Sequence, residues 1–464
     1  MYIVVYTKYT ESKFSYLVLL MEKIVTDNNE ENNNKKFFIK IFYWCKSYFG
    51  HPTTKLLICV ILILIFFIII FNYYKKPYFD LKAEMVQPRA YHKSIMIDNN
   101  NILITGGINS EKNEKFGTNS AEIYNIKNNI SEKIENMKLP HTYHALFKMQ
   151  DGNILVADIN GIEIFNIKTK TFKLLKTMPT KRYLEKDNYK FALLEGHKLV
   201  ILGGRKDKHT QNYGRNLMDL NIIEVIDVIE DKPIKKLNFR GNGFGLINLS
   251  DHELLIIGGK TELYNKDVLL NDIYLFNSKN FKITKWGKID IPILNPFVFK
   301  KGNIIIVIGG EILNKYELAD NFSYVYTKGS NRISYINIKN HKVINKNIQK
   351  FLNKKDNNVI LDIIPFKRNI YLLQLKSGYI SNFKLIDIVK LKELKIGNRF
   401  NFNRVYRSAN VTVDDGILIL GGKLLYREKT EYGLYDEQKP YAQEQYKISY
   451  EGCVLKEVRK IQIK

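Results

Sequence analysis

Arginine is scarce in this chain of 464 residues, and several arginines occupy comparable places in it. The sequence has twelve arginines against sixty lysines. Five arginines come just before a run of strand-forming residues: Arg89, Arg182, Arg240, Arg404 and Arg407. A guanidinium group presents a planar fork of N–H donors that matches a carboxylate or a phosphate. These five are therefore candidate ligand-binding residues, and a ring of them would suit an acidic sugar. The alternative is a structural role, in which they link different parts of the fold.

Three histidines near the first of these places are the other candidates for chemistry. His92, His141 and His144 lie at the starts of two neighbouring strand runs, and imidazole is a common zinc ligand. No carboxylate is fixed near them by sequence spacing, so structural hydrogen bonding is the preferred interpretation. The three cysteines include no CxxC pair. The sequence thus predicts no metal site and no cofactor.

Composition limits the classes of partner. The chain carries a net charge of +25, 45% hydrophobic residues and 12% aromatic residues, enough for a substantial core. A basic surface attracts anionic partners such as lipid headgroups or acidic polysaccharides. No nucleic-acid recognition motif accompanies the charge, so nucleic acid is not a predicted partner.

The elements that must position these residues are apolar runs that end in paired glycines. The run from Asn101 reads Asn-Ile-Leu-Ile-Thr-Gly-Gly, and its pattern returns along the chain. The paired glycines, predicted to be structural, are Gly106, Gly107, Gly203, Gly204, Gly258, Gly259, Gly309, Gly310, Gly421 and Gly422. Such runs predict strands buried on both faces, and glycine permits positive φ and close approach of a neighbouring strand. Weaker copies end in Ala157-Asp158 or pass through Leu375.

A second signature recurs at the ends of third strands. Tyr124-Asn125-Ile126-Lys127, Phe165-Asn166-Ile167-Lys168 and Phe276-Asn277-Ser278-Lys279 carry it, and the bulky Phe172 and Ile283 follow Phe165 and Phe276 by seven positions. Apolar strand, glycine pair, aromatic residue and late bulky residue together resemble the kelch repeat, from about Tyr78 to the C-terminus. The late tryptophan of that family is missing. The only tryptophan in this region, Trp286, lies three residues away from the expected position.

The resemblance implies an all-β fold, a seven-bladed kelch-type β-propeller of four-stranded blades. A single transmembrane α-helix is predicted to precede it, on the separate ground of an apolar run described below. The propeller is predicted to span residues 78–464. Its predicted blades cover about 86–138, 139–179, 180–238, 239–290, 291–350, 357–395 and 402–464. Either end of the chain can close the ring, because Tyr78–Met85 and Val454–Ile463 both have the pattern of an outermost strand.

In a propeller of this kind, the connections between second and third strands gather on one face. Here they are long and polar, and they span residues 108–120, 205–220, 260–271, 311–332 and 423–441. Long connections on a rigid scaffold commonly carry binding sites. The resemblance also implies that an arginine in front of a first strand links adjacent blades.

The N-terminal part differs from the repeats in composition. Residues 1–55 are mostly polar, and sixteen apolar residues without a charge run from Leu56 to Phe71. With the tyrosines that follow, residues 56–74 have the length of a membrane-spanning helix flanked by interfacial anchors. We expect a retained signal anchor, with the propeller on the extracytoplasmic side.

The function expected from these features is that of a membrane-anchored kelch-repeat binding module. Its loop face would contact a protein or an anionic glycan, and no catalysis is expected. The alternative is an envelope-side carbohydrate enzyme resembling a sialic-acid mutarotase or epimerase, for which the sequence identifies no catalytic residue. The copper radical oxidases of the kelch class are excluded, because Cys453 is the only cysteine in the repeat region.

Overall fold

The structure is a computed structural model, in which the chain divides into two compact units, residues 1–75 and 76–464. The described residues, all in the second unit, are 78–109, 117–182, 189–208, 216–230, 232–263, 266–319, 322–348, 359–366, 370–377, 380–394, 405–406, 408–414, 416–424 and 454–462. The predicted polar segment 1–55 and transmembrane helix 56–74 lie outside them. Within these ranges the chain contains no helix long and apolar enough to cross a membrane.

The described residues fold into strands joined by turns. The first strands are β1 (Tyr78–Glu84), β2 (Lys93–Met96), β3 (Asn101–Thr105), β4 (Ala121–Asn125), β5 (Ile130–Lys133), β6 (Ala145–Lys148), β7 (Ile154–Ala157), β8 (Gly161–Asn166), β9 (Thr171–Thr177), β10 (Tyr189–Leu194), β11 (Lys198–Gly203), β12 (Arg205–Lys208), β13 (Asn216–Asp219), β14 (Ile222–Asp227), β15 (Lys235–Asn238), β16 (Gly245–Asn248) and β17 (Glu253–Ile257).

The later strands are β18 (Lys260–Leu263), β19 (Lys266–Leu269), β20 (Asp272–Asn277), β21 (Lys282–Lys288), β22 (Phe297–Lys301), β23 (Ile304–Ile308), β24 (Glu311–Ala319), β25 (Phe322–Gly329), β26 (Arg332–Asn337), β27 (Val343–Asn347), β28 (Val359–Phe366), β29 (Ile370–Ser377), β30 (Ile380–Asp387), β31 (Lys392–Leu394), β32 (Val405–Tyr406), β33 (Ala409–Val413), β34 (Gly416–Leu424) and β35 (Val454–Gln462).

These strands form a series of antiparallel sheets that follow one another along the chain. Each of the first six has four strands in chain order: sheet 1 is β2-β3-β4-β5, sheet 2 β6-β7-β8-β9, sheet 3 β10-β11-β14-β15, sheet 4 β16-β17-β20-β21, sheet 5 β22-β23-β26-β27 and sheet 6 β28-β29-β30-β31. The all-β prediction is confirmed, and repeated four-stranded antiparallel sheets fit a propeller.

Sheet 7 joins the two ends of the second unit. Its strands β33 and β32 pair with β34, β34 pairs with β35, and β35 pairs with β1. The pairing of β1 is antiparallel and runs from Tyr78 opposite Gln462 to Glu84 opposite Glu457. The sequence left open which terminal segment closes the fold; β35 is the third strand of this sheet and β1 the fourth. β35 covers the edge of β34, and β1 covers the edge of β35, so neither of these edges is left unpaired.

The core lies between neighbouring sheets, and second strands contribute to two of its clusters at once. In β11, Val200 and Leu202 pack with sheet 4, whereas Leu199 and Ile201 pack with sheet 2. Alternate side chains of a strand point to opposite faces, so a strand between two sheets must be apolar at every position. The sequence prediction that these runs are buried on both faces is therefore confirmed.

The glycine pairs end these strands where the next sheet comes closest. In the five pairs, every glycine except Gly422 has positive φ. The N–H of Gly107 donates to the carbonyl of His141 at 2.8 Å, and the N–H of Gly259 donates to that of Ile293 at 2.7 Å. Both acceptors lie just before the first strand of the following sheet, so the glycine pair joins one sheet to the next.

The strand register corrects the position of the weakened pair in sheet 2. Ala157 stands opposite Ile162, as Thr105 stands opposite Ala121. Ala157 therefore corresponds to the residue before a glycine pair, and Asp158 takes the place of the first glycine. The position predicted from sequence, Ala157-Asp158, is one residue too early, because a short apolar run has no internal marker of register.

We predict that Gly258→Ala lowers the free energy of unfolding by several kcal/mol. Gly258 has a φ of +67°, and a Cβ there would lie 2.4 Å from the carbonyl oxygen of Ile293. Gly302→Ala is the matched control: its φ is +55°, but nothing lies within 4 Å of the added Cβ. The control should lose only about 1–2 kcal/mol, from backbone strain. Urea unfolding measures both, and equal losses would contradict the close contact.

Candidate functional site

The arginines of sheets 1 and 3 lie in the segment that leads into the first strand, here called the lead-in. Nε of Arg89 is 2.7 Å from Oε1 of Glu122, and Nη1 donates to the carbonyl of Gly106 at 2.8 Å. Nη2 of Arg182 is 2.7 Å from Oε2 of Glu224. Nε of Arg182 donates to the carbonyl of the first glycine of sheet 3 at 3.0 Å.

These contacts give both arginines a structural role within their own sheet. Arg89 is 1% exposed and Arg182 7% exposed, and both carboxylate partners are fully buried. Each arginine fixes its lead-in to the third strand and to the end of the second strand of the sheet it leads into. The ligand-binding role assigned to them from sequence stays a prediction, and these contacts do not support it. Arg404 and Arg407 lie outside the described residues.

Sheet 2 carries the same arrangement with histidine as the cation. Nε2 of His141 is 3.0 Å from Oε1 of Glu163, and Nδ1 is 2.9 Å from Oδ1 of Asp158. Glu163 lies opposite Val156 in the register that places Glu122 opposite Ile104. The sequence spacing indicated no carboxylate near this histidine; the fold supplies two.

The two carboxylates decide the charge of this buried imidazole. Burial alone would lower the pKa of His141, but the hydrogen bonds and charges of Asp158 and Glu163 raise it to about 9. Burial would likewise raise the pKa of Glu163, yet His141 and the backbone N–H groups of Lys138 and Leu139 hold it below its usual value. His141 is therefore an imidazolium at neutral pH.

The other two histidines are buried and neutral. Burial, followed by the neighbouring positive charges, lowers the pKa of His92 and His144 well below the usual value. Nε2 of His144 lies 2.7 Å from Oγ1 of Thr105, which makes a hydrogen bond of the kind expected from the sequence. The described ranges contain no group of three or more His, Cys, Asp or Glu residues placed to hold a metal ion.

The lead-in of sheet 4 departs from this pattern. Asn242 forms a β-bridge with Lys260, as Ala90 does with Ile108, so Gly241 takes the place of Arg89. Tyr274 lies opposite Ile256 and so takes the place of the buried glutamate. Arg240 is one position earlier and exposed, and among the described residues it has neither an ion pair nor a hydrogen-bond partner.

An open cleft of about 330 Å³ lies at this lead-in. Its polar and aromatic lining consists of Asn238, Phe239, Arg240, Thr261, Tyr274 and Lys285, and two aliphatic side chains complete it. The ring of Phe239 meets that of Tyr274 edge to face, with centroids 5.3 Å apart. Of the three described arginines predicted to bind a ligand, Arg240 is thus the one that lies at an accessible cleft.

Three of the long connections predicted to form the loop face are β-hairpins. β12–β13, β18–β19 and β24–β25 follow directly after the glycine pairs of sheets 3, 4 and 5. The second and third of these hairpins join into a separate four-stranded sheet, in which β19 and β25 run parallel. Residues 209–215, 264–265 and 320–321 of these connections, and parts of the other two connections, lie outside the described residues.

The functional residues that the sequence reasoning missed are the glutamates of the third strands. Glu122, Glu163 and Glu224 each interrupt an otherwise apolar third strand and are fully buried. Carboxylates are almost never buried without a partner. A recurrent charge inside an apolar run was therefore the signal for a buried cation at each lead-in.

Comparisons with known proteins do not assign a family. No protein-family model matches the chain, and no curated protein matches it significantly. Among the solved structures that match is one titled "Structure of YjhT", with 16% sequence identity and a TM-score of 0.38. That match covers 56% of this chain and 84% of the other. A TM-score of this size supports no conclusion about fold or function.

We predict that Arg89→Met lowers the free energy of unfolding by about 3–5 kcal/mol, because it leaves Glu122 buried without its cation. Adding Glu122→Gln should recover part of the loss. The control is Arg240→Met, which removes an exposed arginine and should change stability by about 0.5 kcal/mol or less. Denaturant unfolding measures all three, and equal stability of Arg89→Met and Arg240→Met would argue against a structural role for Arg89.

We predict that the free energy of unfolding decreases as the pH is raised from about 6.5 to about 9. The pKa of His141 is about 9 in the folded protein, above the value of about 6.5 in an unfolded chain. Its stabilising charge is complete below the lower value and is lost as the pH rises through the higher one, with a loss of about 3 kcal/mol.

The pH test compares three proteins by urea unfolding. His141→Gln should be less stable than wild type at pH 7 and should lose little further stability between pH 7 and 9. His341→Gln, at an exposed histidine, should follow the wild-type curve. A wild-type slope in His141→Gln would show that another group is responsible.

Proposed function

We propose that residues 78–464 form a seven-bladed kelch-type β-propeller that acts as a binding module at a membrane. It binds its partner on the face from which the hairpins project. The observation that carries this proposal is the separate four-stranded sheet that hairpins β18–β19 and β24–β25 build from two successive sheets. Such an extension adds surface beyond what the repeat itself needs, on a scaffold held by its own core.

An anionic glycan is the preferred partner, and a protein is the other. The net charge of +25 attracts anions over long range, and salt weakens that attraction. The buried cations at the lead-ins of sheets 1 to 3 are already neutralised by carboxylates of the same sheet. Exposed cations, such as Arg240, are the ones that remain for a ligand.

The membrane part of the proposal rests on sequence. Residues 56–74 combine an uncharged apolar run with flanking tyrosines and lysines. We propose that this segment is a signal anchor and that the propeller therefore lies on the extracytoplasmic side of the membrane. Digestion of the propeller by protease added to intact cells, or after permeabilisation of the outer envelope alone, tests this; protection until the inner membrane is lysed would contradict it.

The alternative, a carbohydrate epimerase or mutarotase, has no specific observation in its favour. It needs an acid or base with a suitable pKa at an open cavity. Glu163 and Glu224 are fully buried, and despite that burial their hydrogen bonds and cations hold each pKa below its usual value. Both are therefore structural anions among the described residues.

We predict that shortening both hairpins abolishes glycan binding by the full-length protein in detergent micelles. Thr261 pairs with Val268, and Leu313 pairs with Thr327, so residues 262–267 and 314–326 can each be replaced by Asn-Gly. Asn-Gly supports a two-residue hairpin turn, and the sheets below keep their strands. Binding to immobilised hyaluronan, a polymer containing uronic acid, is the measurement, with neutral dextran as the comparison surface.

The matched control carries a Gly-Ser insertion after Gly152, in the turn between β6 and β7 at the opposite edge of the sheets. Nothing lies within 4 Å of a Cβ placed on that glycine, so the insertion is tolerated. Undiminished hyaluronan binding by the hairpin variant would contradict the proposed face. Conversion of a sugar acid by the wild-type protein would favour the enzyme.

A further inference from the structure

The cleft of sheet 4 lies at a lead-in that lacks the buried ion pair of sheets 1 to 3. Where Arg182 lies against the second glycine of sheet 3, with its Cδ 2.9 Å from a Cβ placed there, the ring of Phe244 lies against Gly259. Phe244 is 1% exposed and fills that space with an apolar group. The cation is thus displaced from the interior to the neighbouring position Arg240, on the surface.

The charge around the cleft favours an anion. Arg240 is exposed, and among the described residues no carboxylate pairs with it. Asp272 accepts from the hydroxyl of Tyr274 at 3.3 Å and is paired with Lys285 at 2.8 Å and Lys288 at 3.6 Å. Two lysines thus neutralise Asp272, and the guanidinium of Arg240 is left to form a bidentate pair with a ligand carboxylate.

The remaining lining suits a ring that has one apolar face and several hydroxyl groups. Phe239 and Tyr274 are half-buried, and they present an aromatic wall with a fixed edge-to-face geometry. Asn238 adds an amide to the lining, and the buried Thr261 adds a hydroxyl. A volume of about 330 Å³ is at the small end of ligand pockets, so the cleft suits one or two sugar rings.

The geometry points to a binding site in this cleft for a single uronic-acid unit of an anionic glycan. The carboxylate pairs with the guanidinium of Arg240, and the apolar face of the sugar ring packs on Phe239 and Tyr274. Thr261 belongs to β18, so the site lies at the base of a projecting hairpin. This inference rests on the proposed function and specifies the chemistry of its ligand.

The test is titration of the full-length protein in detergent micelles with D-glucuronate, followed by calorimetry or ligand-observed NMR. We expect binding with a Kd of about 1 mM and at least about tenfold weaker binding of D-glucose, which has the same ring without the carboxylate. Arg240→Gln should weaken glucuronate binding about tenfold or more, and Phe239→Leu should weaken it as well. Added salt should lower the affinity.

Arg332→Gln is the matched control, because it removes the same charge at an exposed position of sheet 5. It should bind glucuronate as the wild type does. Thermal unfolding of every variant shows whether the fold is kept, and Arg240→Lys provides a second change at the same exposed position. That variant keeps the charge but not the bidentate fork, so its affinity should lie between those of wild type and Arg240→Gln.

Several outcomes would overturn the inference. No glucuronate binding by wild type up to about 20 mM, or equal binding by wild type and Arg240→Gln, would do so. Inorganic phosphate binding as tightly as glucuronate would show a simple anion site, without recognition of the sugar. Hyaluronan binding that needs the hairpins but not Arg240 would remove this site and leave the proposed function standing.

Discussion

The fold depends on the approach of each lead-in to the end of the second strand in the preceding sheet. The N–H of Gly107 reaches the carbonyl of His141, and that of Gly259 reaches the carbonyl of Ile293. A side chain at the first glycine of either pair would collide with that same carbonyl. The contact joins sheet 1 to sheet 2 and sheet 4 to sheet 5, and in both places it requires a close approach of the two backbones.

The lead-in is also where the sheets differ from one another. Sheets 1 and 3 hold a buried arginine against a third-strand glutamate, and sheet 2 holds a histidine between two carboxylates. In each case the cation is neutralised inside the sheet and is not accessible to a ligand. Sheet 4 replaces this arrangement with Gly241, Phe244 and Tyr274, and its arginine is on the surface beside an open cleft.

The scaffold and the proposed binding face are therefore separate in this molecule. Packing and backbone hydrogen bonds hold the sheets, with a few buried ion pairs that are structural. The hairpins that follow the glycine pairs of sheets 3, 4 and 5 stand outside the repeat, and two of them share a sheet of their own. The proposed replacements within these hairpins, at residues 262–267 and 314–326, change no residue of the core strands, so the proposed binding face and the stability of the fold can be tested separately.

Local patterns in the sequence were sufficient for the strands of the repeats, their burial and the role of the paired glycines, but not for the hairpins that form in three of the long connections. A strand whose alternate residues face two sheets has no polar position, and a backbone position with positive φ favours glycine. Both features can be recognised in the amino-acid sequence alone. The sequence also placed Arg89, Arg182 and Arg240 in comparable positions, but it could not tell which were buried. That depended on Glu122 and Glu224, which lie more than thirty residues away in the chain and meet the arginines only through strand register.

The same reason explains the other differences. Register placed Asp158 and Glu163 around His141 and shifted the weakened glycine pair by one residue. Pairing of β1 with β35 decided how sheet 7 is completed, where the sequence offered two equal candidates. Residue types and short spacings thus determined what each strand is, whereas only the tertiary structure decided which charges meet, because ion pairing depends on distances between strands that the order of residues does not contain.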